Sequence, residues 1–239
     1  MADRDHRSVL FSRIRQGLGV SGDEPARRRA VDERVSRHSR NLVPRRGQLE
    51  RSARIALFRT MAEGVHATVA EAEGPAEIPA LIAAYLRQQN LPSRVRHGDD
   101  PLLSELPWRE GAPAVERRSG RAEPADEVSV SRAAAGVAES GTLILLSGPD
   151  NPTTLNFLPE THIAVIKGDD IVASYEDVFD RIRSAYGTGR MPRTLNMITG
   201  PSRTADIEQR LELGAHGPKR LHIIIVNSSP EPQPTGGHP

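Results

Sequence analysis

The residues whose grouping suits chemistry in this chain fall in a few short clusters. The first is Glu139-Ser140-Gly141-Thr142, a carboxylate and two hydroxyls around a glycine. The second runs from Gly200 through Pro201, Ser202, Arg203 and Thr204 to Asp206. There a guanidinium, hydroxyls and free backbone N–H groups share one turn, which suits a carboxylate or a phosphate. A third, His216-Gly217-Pro218, follows closely. Glu139 and His216 are the candidate catalytic groups, able to take a proton or, for Glu139, to act as a nucleophile. Ser140, Gly141, Thr142, Gly200, Pro201, Ser202, Arg203, Thr204, Asp206 and Gly217 are the candidate contacts to an anionic ligand. Plainer readings stand beside these. Ser202 or Thr204 alone suits a helix cap, although neither has Glu or Gln three places on to complete a capping box. Glu139 suits an ion pair or a backbone contact, because a carboxylate at a buried strand entrance is costly unless paired or used. His216 on its own suits a structural loop histidine.

The elements that must position these clusters follow from periodicity. Leu195, Met197 and Ile198 look like the end of a strand, and Leu221 to Val226 like another. Between them, Ala205, Ile207, Leu211 and Leu213 are spaced for one side of a short helix, with Gly214 placed to end it in a left-handed conformation. The expectation is a strand, turn, helix, turn, strand unit, with its ligand where strand carboxyl ends meet a helix N-terminus. The first cluster feeds Leu143 to Leu146, an unbroken apolar run expected as a strand buried on both faces. The Ala-rich stretch before it suits close packing of a helix on a sheet.

Elsewhere, helices are expected from Gln48 to Gly64, Glu77 to Gln89 and Ser174 to Tyr186, and strands at Val65 to Ala70, Ser93 to His97, Val128 to Val130 and Thr161 to Ile166. This alternation predicts an α/β fold, an open and mostly parallel sheet with helices on both faces. Asp99 to Glu127 breaks the pattern; a few local turns are expected, with Trp108 plugging a surface groove. Residues 1–47 are expected to form an N-terminal helix and a solvated Arg-rich arm, 48–227 the α/β domain and 228–239 a disordered tail. Gly17 to Gly22 matches G-x-G-x-x-G in form only, since an expected helix precedes it where a nucleotide-binding turn needs a strand.

Bulk composition sets limits. The formal net charge is +1, and aromatic residues make up 3% of the chain. Neither a whole-protein field nor base-stacking platforms argue for nucleic acid. The charge is uneven: residues 1–60 hold fifteen arginines against seven acids. No apolar run approaches the roughly 20 residues of a membrane span, so a cytoplasmic protein is the expectation. Cysteine is absent, which excludes disulfides and thiolate catalysis and leaves no ordinary ligands for an iron–sulfur cluster.

Four ordered motifs carry a family resemblance: Ala138-Glu139-Ser140-Gly141-Thr142-Leu143, Leu158-Pro159-Glu160-Thr161-His162-Ile163, Thr199 through Glu208, and His216-Gly217-Pro218. Together, over about residues 48–227, they resemble the lactate utilisation protein C family, whose domain is called the LUD domain. The resemblance implies the fold shared by CoA transferases, ribose-5-phosphate isomerase and formyltetrahydrofolate cyclo-ligase. It also implies a place in a three-protein bacterial system that oxidises L-lactate to pyruvate, with the iron–sulfur clusters in the partner oxidoreductase subunits and no cofactor in this chain. The family usually shows Glu-Thr-Gly-Thr; Ser140 keeps the hydroxyl and drops a methyl group.

Two classes of function follow from the resemblance and the residues together. In the first, the chain is a non-redox subunit of the lactate-oxidising assembly, binding a small carboxylate. In the second, it is a stand-alone enzyme acting on a phosphorylated, CoA-linked or folate-type substrate, with Glu139 as nucleophile. A regulatory or scaffold protein is the plain alternative to both.

Overall fold

The computed structural model describes residues 2–187, 189–204 and 212–227. The chain divides into two compact units, residues 1–43 and 44–239. The first unit holds helices α1 (Ala2–Leu18) and α2 (Pro25–Arg37). Much of residues 23–46, the expected solvated Arg-rich arm, is helical. Pro25 presets the first turn, His38 closes the helix at φ 45°, and no residue of α2 is buried. Arg, Ala and Glu favour the helix without an apolar face to bury.

The second unit opens with α3 (Arg51–Gly64), β1 (Thr68–Ala72), α4 (Ile78–Gln88) and β2 (Arg94–His97). Short helices α5 (Pro101–Ser104) and α6 (Trp108–Gly111) follow, then β3 (Glu116–Ser119), β4 (Val128–Arg132), β5 (Ala135–Val137) and β6 (Thr142–Leu146). After α7 (Thr154–Phe157) come β7 (Thr161–Lys167), β8 (Ile171–Val172), α8 (Tyr175–Tyr186) and β9 (Leu195–Ile198). The last strands are β10 (Arg203–Thr204), β11 (Glu212–Leu213) and β12 (Arg220–Val226).

The main sheet has six strands in the order β1-β12-β7-β4-β2-β3, and every pairing in it is parallel. The α/β expectation is therefore met. Alternation along β7 and β12 builds two cores. Ile163, Val165, Ile224 and Val226 point to one face, against α4, Leu103 and Trp108. Ala164, Ile166, Leu221, Ile223 and Ile225 point to the other, against Ile55 and Phe58 of α3 and Leu143 and Leu145 of β6. Phe58 and Leu143 are fully buried, each contributing roughly 1.5–3 kcal/mol.

The second face carries more than helices. A four-stranded sheet, β8-β5-β6-β9, lies on it, with β6 antiparallel to both neighbours. Its far side, Val137 and Ile144, packs on Val178 and Ile182 of α8. The Ala-rich stretch is thus strand β5 rather than part of a helix. Gly136 explains the close approach, since a Cβ there would lie 2.8 Å from Ile166 Cδ1 and 2.9 Å from Phe58 Cε2. Leu143 to Leu145 are buried as expected, but in this mixed sheet, between two antiparallel neighbours, and not in the parallel one.

Two further expectations change. Asp99 to Glu127 is not a run of loose turns: it supplies α5, α6 and the edge strand β3. Trp108 is a core residue, 3% exposed, and its indole N–H donates to the Leu103 carbonyl at 3.1 Å. The segment is anchored by buried Arg96, which donates to Asp126 at 2.7 Å and to the Ser119 carbonyl at 3.1 Å. The unit around Arg203 also differs. β9 belongs to the second sheet and β12 to the main one, and Arg203–Thr204 pairs antiparallel with Glu212–Leu213. Leu213 therefore lies in a ribbon. The expected helix positions Ala205, Ile207 and Leu211, the candidate contact Asp206, and the tail 228–239 lie outside the described residues.

Candidate functional site

The two glycine corners are set by the same element. Gly141 has φ +67° and Gly200 φ +73°, conformations that other residues adopt only under strain. A Cβ on Gly141 would lie 2.4 Å from Ala62 N, and one on Gly200 2.4 Å from Val65 O. Both corners are wedged against the C-terminal end of α3. In the first, Val137 pairs with Thr142 across a hairpin, and Gly141 N–H donates to the Val137 carbonyl at 2.9 Å. In the second, Ser202 N–H donates to the Pro218 carbonyl and the Ser202 carbonyl accepts from Gly214 N–H, each at 2.9 Å. Gly214 has the expected left-handed φ, +82°.

Hydroxyls join the corners. Thr142 Oγ1 lies 2.7 Å from Thr199 Oγ1 and 2.7 Å from the Tyr175 hydroxyl. Ser140 Oγ closes the cluster at 2.8 Å from Thr142 and 3.0 Å from Tyr175. Tyr175 stands at the start of α8, so three elements meet there.

Beside Thr199 opens a cavity of about 260 Å³. It lies between β9 and the amino ends of β7 and β12. Six of the sequence candidates line it: Gly200, Pro201, Ser202, Arg203, His216 and Gly217. Arg203 and His216 are exposed, and Arg203 makes no ion pair among the described residues. Glu139, Ser140, Gly141, Thr142 and Thr204 do not line the cavity. Glu139 is 6% exposed at the hairpin tip, and its Oε2 has no hydrogen-bond partner. It makes neither the arginine pair nor any other ion pair among the described residues.

Asn156 and His162 also line this cavity, and the sequence reading did not single them out as site residues. Both are fully buried. Ser131 Oγ sits 2.5 Å from His162 Nε2 and 3.4 Å from Asn156 Oδ1. His162 Nδ1 and Asn156 Nδ2 are left without partners, and orphaned buried polar atoms are rare in folded proteins. Burial lowers the His162 pKa from 6.5 to about 4, so the ring is neutral at pH 7. One signal was available: His162 shares the core-facing side of β7 with Ala164 and Ile166, where a polar residue needs a reason. The arrangement offers a positive rim and an uncharged hydrogen-bonding floor.

Residues 108–226 match the family model described as the LUD domain. The chain belongs to the LUD domain family. The resemblance carried by the four motifs is thereby confirmed. Among the relatives of this LUD-domain chain, a lactate utilization protein C from Shouchella clausii is 40% identical over 91 residues, 38% of this chain and 40% of that protein. One from Bacillus subtilis is 36% identical over 121 residues, 50% of each. The match thus spans half or less of the length of these curated relatives. A crystal structure of a DUF162 family protein from Deinococcus radiodurans has the same fold, with TM-score 0.56 and 22% identity over 74% of this chain and 99% of that one. Among the described residues, no helix is long and apolar enough to cross a membrane, and no group of His, Asp or Glu is arranged to hold a metal ion.

Proposed function

We propose that this LUD-domain protein is a non-redox component of a cytoplasmic system that oxidises L-lactate to pyruvate, and that its cavity binds a small carboxylate. The cavity at Gly200 to Arg203 carries this reading. Arg203 supplies a guanidinium without an ion-pair partner among the described residues, a natural receptor for a carboxylate. His162 and Asn156 give the floor two unsatisfied polar atoms for a second oxygen of the ligand. Because His162 is neutral, the floor adds a hydrogen bond without adding charge. The names of the relatives point to lactate utilisation.

In this reading the electrons removed from lactate leave through another chain. This sequence has no cysteine, so iron–sulfur clusters belong to partner oxidoreductase subunits. Of the candidate acid–base groups, His216 lies on the cavity and is the better placed to take a proton. Glu139 is set apart from the cavity, which gives the transferase-like alternative no added support.

Isothermal titration of the purified protein with L-lactate tests the pocket. Binding weakened about ten-fold or more in Arg203→Ala supports it, as loss of a charge-assisted contact worth roughly 1.5–3 kcal/mol predicts. Equal binding by both proteins rules the pocket out. Co-purification with a cluster-bearing oxidoreductase tests the assembly, and consistent failure counts against it.

A further inference from the structure

At the opposite end of the main sheet lies a second and larger cavity, about 460 Å³. Its position follows from the connectivity. β2 leaves the sheet toward α5 and α6, which pack on one face. Its neighbour β4 leaves toward β5 and β6, on the other face. Adjacent parallel strands whose connections depart to opposite faces leave a crevice at their carboxyl ends, the usual ligand position in open α/β sheets. Arg132 ends β4 and Asp100 follows β2; both line this cavity.

Two complementary polar atoms there lack partners. Arg132 Nε is buried without a hydrogen bond, and so is Asn151 Oδ1. The Asn151 residue is 7% exposed; its Nδ2 donates to the Leu146 carbonyl at 3.3 Å, which leaves the oxygen as a free acceptor. Asp100 and Asp170 hold the Arg132 guanidinium from 3.7 and 3.8 Å, beyond hydrogen-bond reach. The site thus presents a donor and an acceptor, both unsatisfied. Tyr186 lines the same cavity and is 39% exposed, giving a ring face for stacking.

We propose that this crevice is a second ligand site, separate from the carboxylate pocket, and that it takes the base of an adenine nucleotide. An adenine edge carries a ring-nitrogen acceptor beside an amino donor. Arg132 Nε–H donates to the first, Asn151 Oδ1 accepts from the second, and the base stacks on Tyr186, an interaction worth about 1–3 kcal/mol. The charges decide which end of the nucleotide enters. Asp100 and Asp150 line the cavity and disfavour a phosphate inside it, so the phosphate stays in solvent.

The test is titration of the full chain with adenosine 5′-monophosphate and, separately, ribose 5-phosphate, alongside Arg132→Lys and Asn151→Ser. Lysine keeps the charge and removes the Nε–H. The proposal expects the nucleotide to bind, ribose 5-phosphate not to compete, and both variants to weaken binding about ten-fold or more, one lost hydrogen bond being worth roughly 1.4 kcal/mol. Melting temperatures show whether each variant folds; should Arg132→Lys unfold, Asn151→Ser decides. No nucleotide binding by the unaltered chain overturns the proposal. So does unchanged binding in folded variants, or ribose 5-phosphate binding as tightly as the nucleotide, which would mark a simple anion site.

Discussion

The two glycine corners make an instructive pair. Each has a left-handed glycine against the end of α3, with hydroxyls beside it. The corner at Glu139 to Thr142 is closed: its carboxylate is buried and its hydroxyls are spent on one another and on Tyr175 and Thr199. The corner at Gly200 to Arg203 is open, with an exposed guanidinium on a cavity. Similar residue types therefore serve as a buttress in one place and as a receptor in the other. What separates them is what each turn faces: the hydroxyls of the first meet Tyr175 and Thr199, whereas the second runs on along the cavity with His162 and His216.

The glycines give the largest effects that sharpen this pairing. Gly141→Ala and Gly200→Ala each combine a positive φ with a backbone clash, and each should lower unfolding free energy in urea by roughly 2–4 kcal/mol. Full stability in either variant breaks the shared wedge against α3.

Acid offers the next lever. His162 and His222 both have pKa values lowered by burial from 6.5 to about 4. A folded value below the unfolded one means the unfolded chain binds the proton first. Stability is therefore complete above about pH 6.5 and declines as pH falls toward 4. Each histidine contributes on the order of 3 kcal/mol to that loss. Melting temperature measured across this range checks the slope, and His162→Gln should flatten part of it. A flat profile in the unaltered protein would contradict the buried, neutral floor.

Smaller effects test the link and the receptor. Thr142→Val removes the hydroxyl shared by both corners and should cost about 1–2 kcal/mol; a cost near zero would mean the corners are not coupled through it. Arg203→Ala should change stability by less than about 0.5 kcal/mol, because the side chain is exposed. A large loss would make Arg203 a structural residue and the two corners alike after all.

Parts of this arrangement were legible in the sequence for physical reasons. Thr161 to Ile166 declares itself as a short, mostly apolar run buried on both faces, and Tyr175 to Tyr186 by the helical spacing of the face it buries. The clusters at Ser202 and His216 share one cavity, as their adjacent motifs suggested. The second sheet was not legible: its strands are short, and their partners are chosen by packing on α3 and α8. The order in Asp99 to Glu127 was hidden because it rests on the long-range contacts of Arg96 and Trp108. His162 and Asn156 were hidden differently, the one inside an ordinary strand pattern and the other in a polar turn. Only the fold brings them under the same cavity.

The central claim, a carboxylate receptor at the open corner, is tested most directly by a crystal structure of the protein grown with L-lactate. The account predicts ordered density with a carboxylate against Arg203 and a second oxygen within hydrogen-bond distance of His162 or Asn156. Density beside Glu139 instead, or an empty cavity at saturating lactate, would contradict it.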